Sequence, residues 1–314
     1  MKKIITILFL VCCSAINTIA QQSKYITRIP FELVGEHIFI KVKVNNSEDL
    51  NFLFDTGAGK TIIDIQTAQK LKMTSNKQKK TSGAAEKFTT DIIKNTSIKI
   101  NNIKLDIRNL QSSPLEHLGK DIGIEIDGII GYHLLKKHVV KINYDTYMLE
   151  ICPSKKFKYN GEGEIVEFIN KTSHPYINAQ IIFDNGETLD GEFIFDTGAG
   201  GALALCTPFS EENNIIEKCK TSYAVNSVGY SKTTTTTNVV KISSFKISNL
   251  EFHDVSTNVY SVKSGFFSSE RPDGLIGNSI LKKYNITFDY QRKKTYWEPN
   301  NRFNNDTLRA PFQE

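Results

Sequence analysis

Residues 52–59 read FLFDTGAG and residues 193–200 read FIFDTGAG, one octapeptide written twice with a single apolar exchange, 141 positions apart. A second pair follows. Asp127-Gly128-Ile129-Ile130-Gly131 is matched by Asp273-Gly274-Leu275-Ile276-Gly277, and GYHLLKKHVVKINYD from Gly131 is mirrored by GNSILKKYNITFDYQ from Gly277. Between the markers, SIKINNIKL (97–105) resembles SFKISNLEF (244–252). Order and spacing agree throughout, so the chain is an internal duplication. One copy spans 25–151 and the other 165–299. Residues 152–164, carrying Pro, Gly and charge, read as a linker, and 300–314 as an aperiodic tail.

Each copy reads as strand. HIFIKVKVN (37–45) alternates apolar and polar side chains at period two, and 175–183 holds the matching place in the second copy. Residues 96–105 and 238–247 are β-branched runs broken by Asn and Ser. Short helices are expected only over 67–73 and in HLLKKH after Gly131. An all-β unit used twice is the fold this pattern predicts.

The N-terminus, MKKIITILFLVCCSAINTIA, places two lysines before an apolar run and small residues near position 20. Residues 1–20 therefore read as a signal peptide, and the protein as exported, periplasmic or extracellular. Cys12 and Cys13 lack the small preceding residue that lipid anchoring would want. With Lys2 and Lys3 removed, 37 basic against 34 acidic side chains leave +3. That charge, with no Lys/Arg stripe, gives no nucleic-acid footprint, and no later segment is apolar enough to span a membrane. Cys152, Cys206 and Cys219 remain, an odd number; Cys206–Cys219 is one candidate bridge, with free thiols the equal alternative.

An isolated Asp-Thr-Gly is an ordinary turn signal. Two in one context, each after an apolar strand and each about 75 residues ahead of an apolar-apolar-Gly segment, are not. The pattern resembles the pepsin/retropepsin superfamily of aspartic peptidases over nearly all of the chain beyond residue 20, and D-T-G-A is closer to retropepsin-like sequences. The resemblance implies two pseudo-symmetric acid-protease-like β-barrel lobes with the active-site cleft between them, and Asp55 and Asp196 as the catalytic pair. Two carboxyls brought together share one proton over a wide pH range. One then serves as base toward water and the other as acid toward the scissile carbonyl. The resemblance gives Thr56 and Thr197 backbone bonds across the lobe interface. Gly57 and Gly198 allow close backbone approach, and Ala58 and Ala199 keep the loops compact. No metal or other cofactor is required. The substrate is a peptide or protein, and a monomer suffices because one chain supplies both aspartates. The rival on the same fold is a catalytically inactive peptide- or ligand-binding protein, which would not need two matched acids.

The resemblance also implies a flap. Residues 81–90, with Gly83 at a hairpin tip and Phe88 beside it, are one candidate; residues 224–236, with Gly229 and Tyr230, are the other. Other readings fail. GAGKT at 57–61 lacks the first glycine of a phosphate loop, since position 54 is Phe54. A glycosidase carboxylate pair has no need of matched D-T-G loops. The six histidines form no metal motif, and His133 and His138 read as surface residues.

Overall fold

A computed structural model describes residues 27–75, 77–85, 87–120, 122–219, 222–228 and 234–301. The proposed signal peptide, Cys12, Cys13, Gly229, Tyr230 and nearly all of the tail lie outside them. Each copy forms an eight-stranded sheet with the same plan, and a third, six-stranded sheet takes strands from both.

The FLF and FIF triplets explain the core. Phe52 and Phe54 point into the main hydrophobic core, as do Phe193 and Phe195. Leu53 and Ile194, one residue out of phase, face the other side of their strands. There Leu53 packs with Phe39, Leu115, Ile126 and Ile129, and Ile194 with Tyr176, Ala204, Phe267 and Leu275. These strands are covered on both faces, which is why they read as unbroken apolar runs.

Each aspartate strand, Leu50–Phe54 or Thr188–Phe195, runs parallel to the strand carrying its Gly-apolar-Ile sequence, Gly128–Ile130 or Gly274–Ile276. Asp127 and Asp273 open these second strands. Asp127 accepts from the Asn51 N–H at 2.8 Å and the Thr67 hydroxyl at 2.7 Å. Asp273 accepts from the Glu192 N–H at 2.7 Å. The duplicated acid therefore fixes strand register, a role its sequence position did not disclose.

The six-stranded sheet runs Thr27–Pro30, Met148–Pro153, His138–Asn143, Tyr284–Asp289, Lys294–Pro299, Glu164–Glu167. Its central pair is antiparallel, with Val140 opposite Phe288, Lys141 opposite Thr287 and Ile142 opposite Ile286. Lys141 and Thr287 are the same position of the repeat, so the pseudo-twofold axis passes between them. The expected linker is not a loose tether. Phe157 is buried with Val139, Cys152 and Tyr296, and Tyr159 stacks on Tyr296 at 4.1 Å.

Helices among the described residues are short. The first, Ile65–Lys70, is capped by Asp64, which accepts from the Gln66 and Thr67 N–H groups and from Leu115 N–H. Cys206 holds the equivalent place before Thr207–Glu212, its N–H donating to Asp273 as Asp64 N–H donates to Asp127. It is fully buried at that helix start, and burial pushes its thiol up to about 12. Cys206, Cys219 and Cys152 are all free thiols, so the candidate bridge is not formed. No helix among the described residues is long and apolar enough to cross a membrane.

Candidate active site

Asp55 and Asp196 stand at the ends of equivalent strands, where the parallel neighbour supplies the last ladder bond: Asp55 N–H to Ile130 carbonyl at 2.9 Å, Asp196 N–H to Ile276 carbonyl at 3.0 Å. Each chain then turns at once, Ala58 N–H returning to the Asp55 carbonyl and Ala199 N–H to that of Asp196. The turns are clamped from below, because Tyr132 N–H donates to the Ala58 carbonyl and Asn278 N–H to that of Ala199.

Two threonines lock these loops together. The Thr56 hydroxyl donates to the Phe195 carbonyl and the Thr197 hydroxyl to the Phe54 carbonyl, both at 2.9 Å. Each hydroxyl also accepts the other threonine's N–H at 3.1 Å. Both side chains are fully buried, so these four bonds are unscreened and the two loops form one unit. Thr56→Val or Thr197→Val is expected to cost about 1–3 kcal/mol of stability, because partners are left buried without a bond. The double variant should cost less than the sum. Denaturant unfolding of all three variants checks this, and simple additivity would show that the bonds do not act as a unit.

The glycines place the carboxyls face to face. A Cβ on Gly57 would fall 2.6 Å from Asp196 Cγ, and one on Gly198 would fall 2.4 Å from Asp55 Cγ. Each aspartate thus rests against the other copy's glycine, which brings the two carboxyls face to face. Burial first, then the Asp196 charge and the hydrogen bond to it, hold the Asp55 carboxyl well above the usual range, against the N–H groups of Gly57 and Ala58. Asp196 Oδ1 accepts from Gly198 N–H at 2.9 Å. The upward direction at Asp55 favours its protonated form. All eight residues singled out in the two D-T-G-A motifs are therefore brought together.

Of the flap candidates, Gly83 lies in the tip between strands Lys77–Ser82 and Lys87–Ile100. The tip reaches the second copy. Phe266 N–H donates to the Gly83 carbonyl at 2.7 Å, Phe267 N–H to Ala84 at 2.9 Å, and the Ser264 hydroxyl to Ala85 at 3.0 Å. Phe266 and Phe267 belong to the apolar cluster that includes Ala199. Phe88 is half-buried on the return strand, opposite Thr81.

Three features escaped the sequence reading. Glu36, in a turn of the first copy, accepts from Gly201 N–H, the Ser279 hydroxyl and Lys282 of the second copy. Burial opposes its ionisation, but these donors hold its carboxyl below the usual range. His133, read as a surface residue, is half-buried: it bonds the Thr61 hydroxyl at 2.8 Å, and burial, with nearby lysines, lowers it to about 4. His37 and His174 flank the D-T-G loops. Aligning the two copies by strand register, not by constant offset, would have paired them. Among the described residues, no group of three His, Cys, Asp or Glu side chains is placed to hold a metal.

The sequence model of the aspartyl protease family matches residues 40–134 and 177–280, one match in each copy and together more than half of the chain. A search of curated proteins found no match. Among solved structures, the aspartic proteinase from Irpex lacteus is similar with a TM-score of 0.55, covering 88% of this chain and 97% of that one at 13% identity. At that identity the likeness speaks to the fold, and it is the two-lobed fold described above. The chain belongs to the aspartyl protease family.

Proposed function

We propose that the protein is an exported aspartic endopeptidase in which Asp55 and Asp196 activate water against a peptide bond. The observation that carries this reading is the facing carboxyl pair, each packed against the other copy's glycine, with burial and the neighbouring charge raising Asp55. A binding protein has no use for that arrangement. In the reaction, Asp196 takes a proton from water as its oxygen bonds to the carbonyl carbon, and Asp55 gives its proton to the carbonyl oxygen. The tetrahedral adduct then collapses. The C–N bond breaks, Asp196 returns its proton to the leaving nitrogen, and a hydroxyl proton passes back to Asp55.

The hairpin at 77–100 is assigned as the flap. Its tip carbonyls are clasped by the second copy beside Ala199, so peptide entry requires those three bonds to part. Around the two loops lie half-buried apolar side chains: Ala58 with Val34, Ile62 and Leu118, and Ala199 with Tyr260, Val262 and Phe266. Apolar residues on both sides of the scissile bond are therefore the expected preference. One chain holds both aspartates, so the active species is assigned as a monomer.

Cleavage of a mixed peptide library by the purified protein, mapped by mass spectrometry and challenged with pepstatin, tests the reading. Internal cuts between apolar residues are expected. A protein that binds library peptides yet cuts none at any pH from 3 to 8 would instead be the inactive binder.

A further inference from the structure

Glu36 lies in the turn between the first-copy strands Glu32–Val34 and His37–Val44, and its carboxylate reaches the second copy. One oxygen accepts from the Gly201 N–H at 3.2 Å and the Ser279 hydroxyl at 2.6 Å, and the other from Lys282 Nζ at 2.6 Å. Its backbone carbonyl accepts from the Asn278 side-chain amide. The Asn278 side-chain oxygen in turn accepts from the fully buried Tyr144 hydroxyl at 2.6 Å. Glu36 and Tyr144 both belong to the first copy, so that copy grips Asn278 from two sides.

These contacts close on the loop behind Asp196. Asn278 N–H donates to the Ala199 carbonyl at 2.8 Å, and Ser279 N–H to the Gly201 carbonyl at 2.9 Å. Ala199 N–H and Gly198 N–H return to Asp196, the first to its carbonyl and the second to Oδ1. The segment that Glu36 holds, directly at Gly201 and through Asn278 at Ala199, is therefore the one that orients this carboxyl.

The Asp55 loop is held differently. Phe39 pairs with Leu53 and Tyr176 with Ile194, each two residues before an aspartate, which makes Ser173 the counterpart of Glu36. Ser173 packs beside Gly59, its Cβ 3.5 Å from where an added Cβ would stand, and brings no carboxylate. Lys136, the counterpart of Lys282, lies over the Tyr132 ring at 5.4 Å. His133, the counterpart of Ser279, bonds Thr61 of its own copy. We propose that Glu36 is a positioning residue for Asp196, a clamp from the first copy that fixes the Asp196 loop and leaves the Asp55 loop to other contacts. The proposal rests on the peptidase reading. Bonds to a charged acceptor are the strong ones. A displacement of about 1 Å in a reacting group costs on the order of a hundredfold in rate.

The test is kcat and KM, with urea unfolding, for wild type, Glu36→Ala, Ser279→Ala, the double variant Glu36→Gln/Lys282→Met, and Glu298→Ala. Glu298 bonds Lys141 across the two copies in the shared sheet, at exposures of 30% and 17% against 28% and 17% for Glu36 and Lys282. It measures what loss of a half-buried ion pair does by itself. Glu36→Ala should lower kcat at least about tenfold while KM changes less than about threefold. Ser279→Ala, a milder change at the same carboxylate, should lower kcat about threefold, and it carries the test should Glu36→Ala not fold. The double variant keeps an oxygen for Gly201 and Ser279 and leaves no ammonium unpaired, so it should recover most of the loss. Glu298→Ala should keep kcat within about twofold at a similar loss of stability. Wild-type kcat in both Glu36→Ala and Ser279→Ala, an equal fall in Glu298→Ala, or no recovery in the double variant overturns the proposal and leaves the peptidase reading standing. Wild type inactive at every pH removes the peptidase reading instead. The clamp is then read by amide hydrogen exchange of the ligand-free protein. Faster exchange at Ala199 and Gly201 in Glu36→Ala, with Ala58 unchanged, supports it; an equal change in both loops, or none, overturns it.

Discussion

Replacing either carboxyl, by Asp55→Asn or Asp196→Asn, is expected to lower peptide hydrolysis by about 10⁴-fold or more while the chain stays folded, the upper range for loss of a general acid or base. An amide keeps the size of the carboxyl, so packing against Gly198 or Gly57 is preserved. It cannot pass a proton between water and the carbonyl oxygen. Stability should move the other way. Asp55 is held against burial and against the Asp196 charge, and one of its oxygens is buried without a partner. Asp55→Asn removes the acid whose ionisation is opposed, so its thermal midpoint above neutral pH should equal or exceed that of wild type. Steady-state kinetics with a scanning-calorimetry trace of the same sample reads both quantities. Activity within tenfold of wild type in either variant would remove the dyad from the mechanism.

Gly131→Ala should be the most damaging single methyl addition in the first copy. The added Cβ would sit 1.8 Å from the Asp55 carbonyl oxygen and 3.0 Å from that of Ala58. Neither oxygen is free to retreat, since the first accepts from Ala58 N–H and the second from Tyr132 N–H. The clash therefore falls on backbone that sets the aspartate. A cost of about 3 kcal/mol or more is expected, at the top of the overpacking range. Gly277→Ala meets oxygens at 2.6 Å in the second copy and should cost less. Urea unfolding of the two variants gives the order, and a Gly131→Ala protein as stable as wild type would show that the loop is not held as described.

The duplication, the all-β character and the aspartate pair were legible because they are written as identity: the same letters at the same spacing, with period-two apolar alternation. The six-stranded sheet was not legible, because the repeat marks His138–Asn143 and Tyr284–Asp289 as equivalent segments without showing that they pair with each other. The helix expected over 67–73 begins earlier, at Ile65, because Asp64 caps it. Cys206 looked like half of a disulfide, yet it occupies the cap position that Asp64 fills in the first copy. Glu36 escaped notice because its partners lie more than 160 residues away and Ser173 stands in the matching turn, so no repetition flags it. The histidine pair was hidden by a hairpin four residues longer in the second copy, which breaks the constant offset between the motifs.

The shared sheet carries a consequence for synthesis. It includes Thr27–Pro30, Tyr284–Asp289 and Lys294–Pro299, so this sheet, shared by the two copies, is completed by nearly the last described residues. A ribosome that has delivered the whole first copy has delivered one aspartate without its counterpart, and a chain cut short before Tyr284 lacks two of the six strands. Long-range pairing of this kind is also slow to form. On the peptidase reading, nascent and truncated chains that lack these strands are expected to be inert toward the proteins around them. On that reading the hydrolytic hazard is expected only once residues 284–299 have been made.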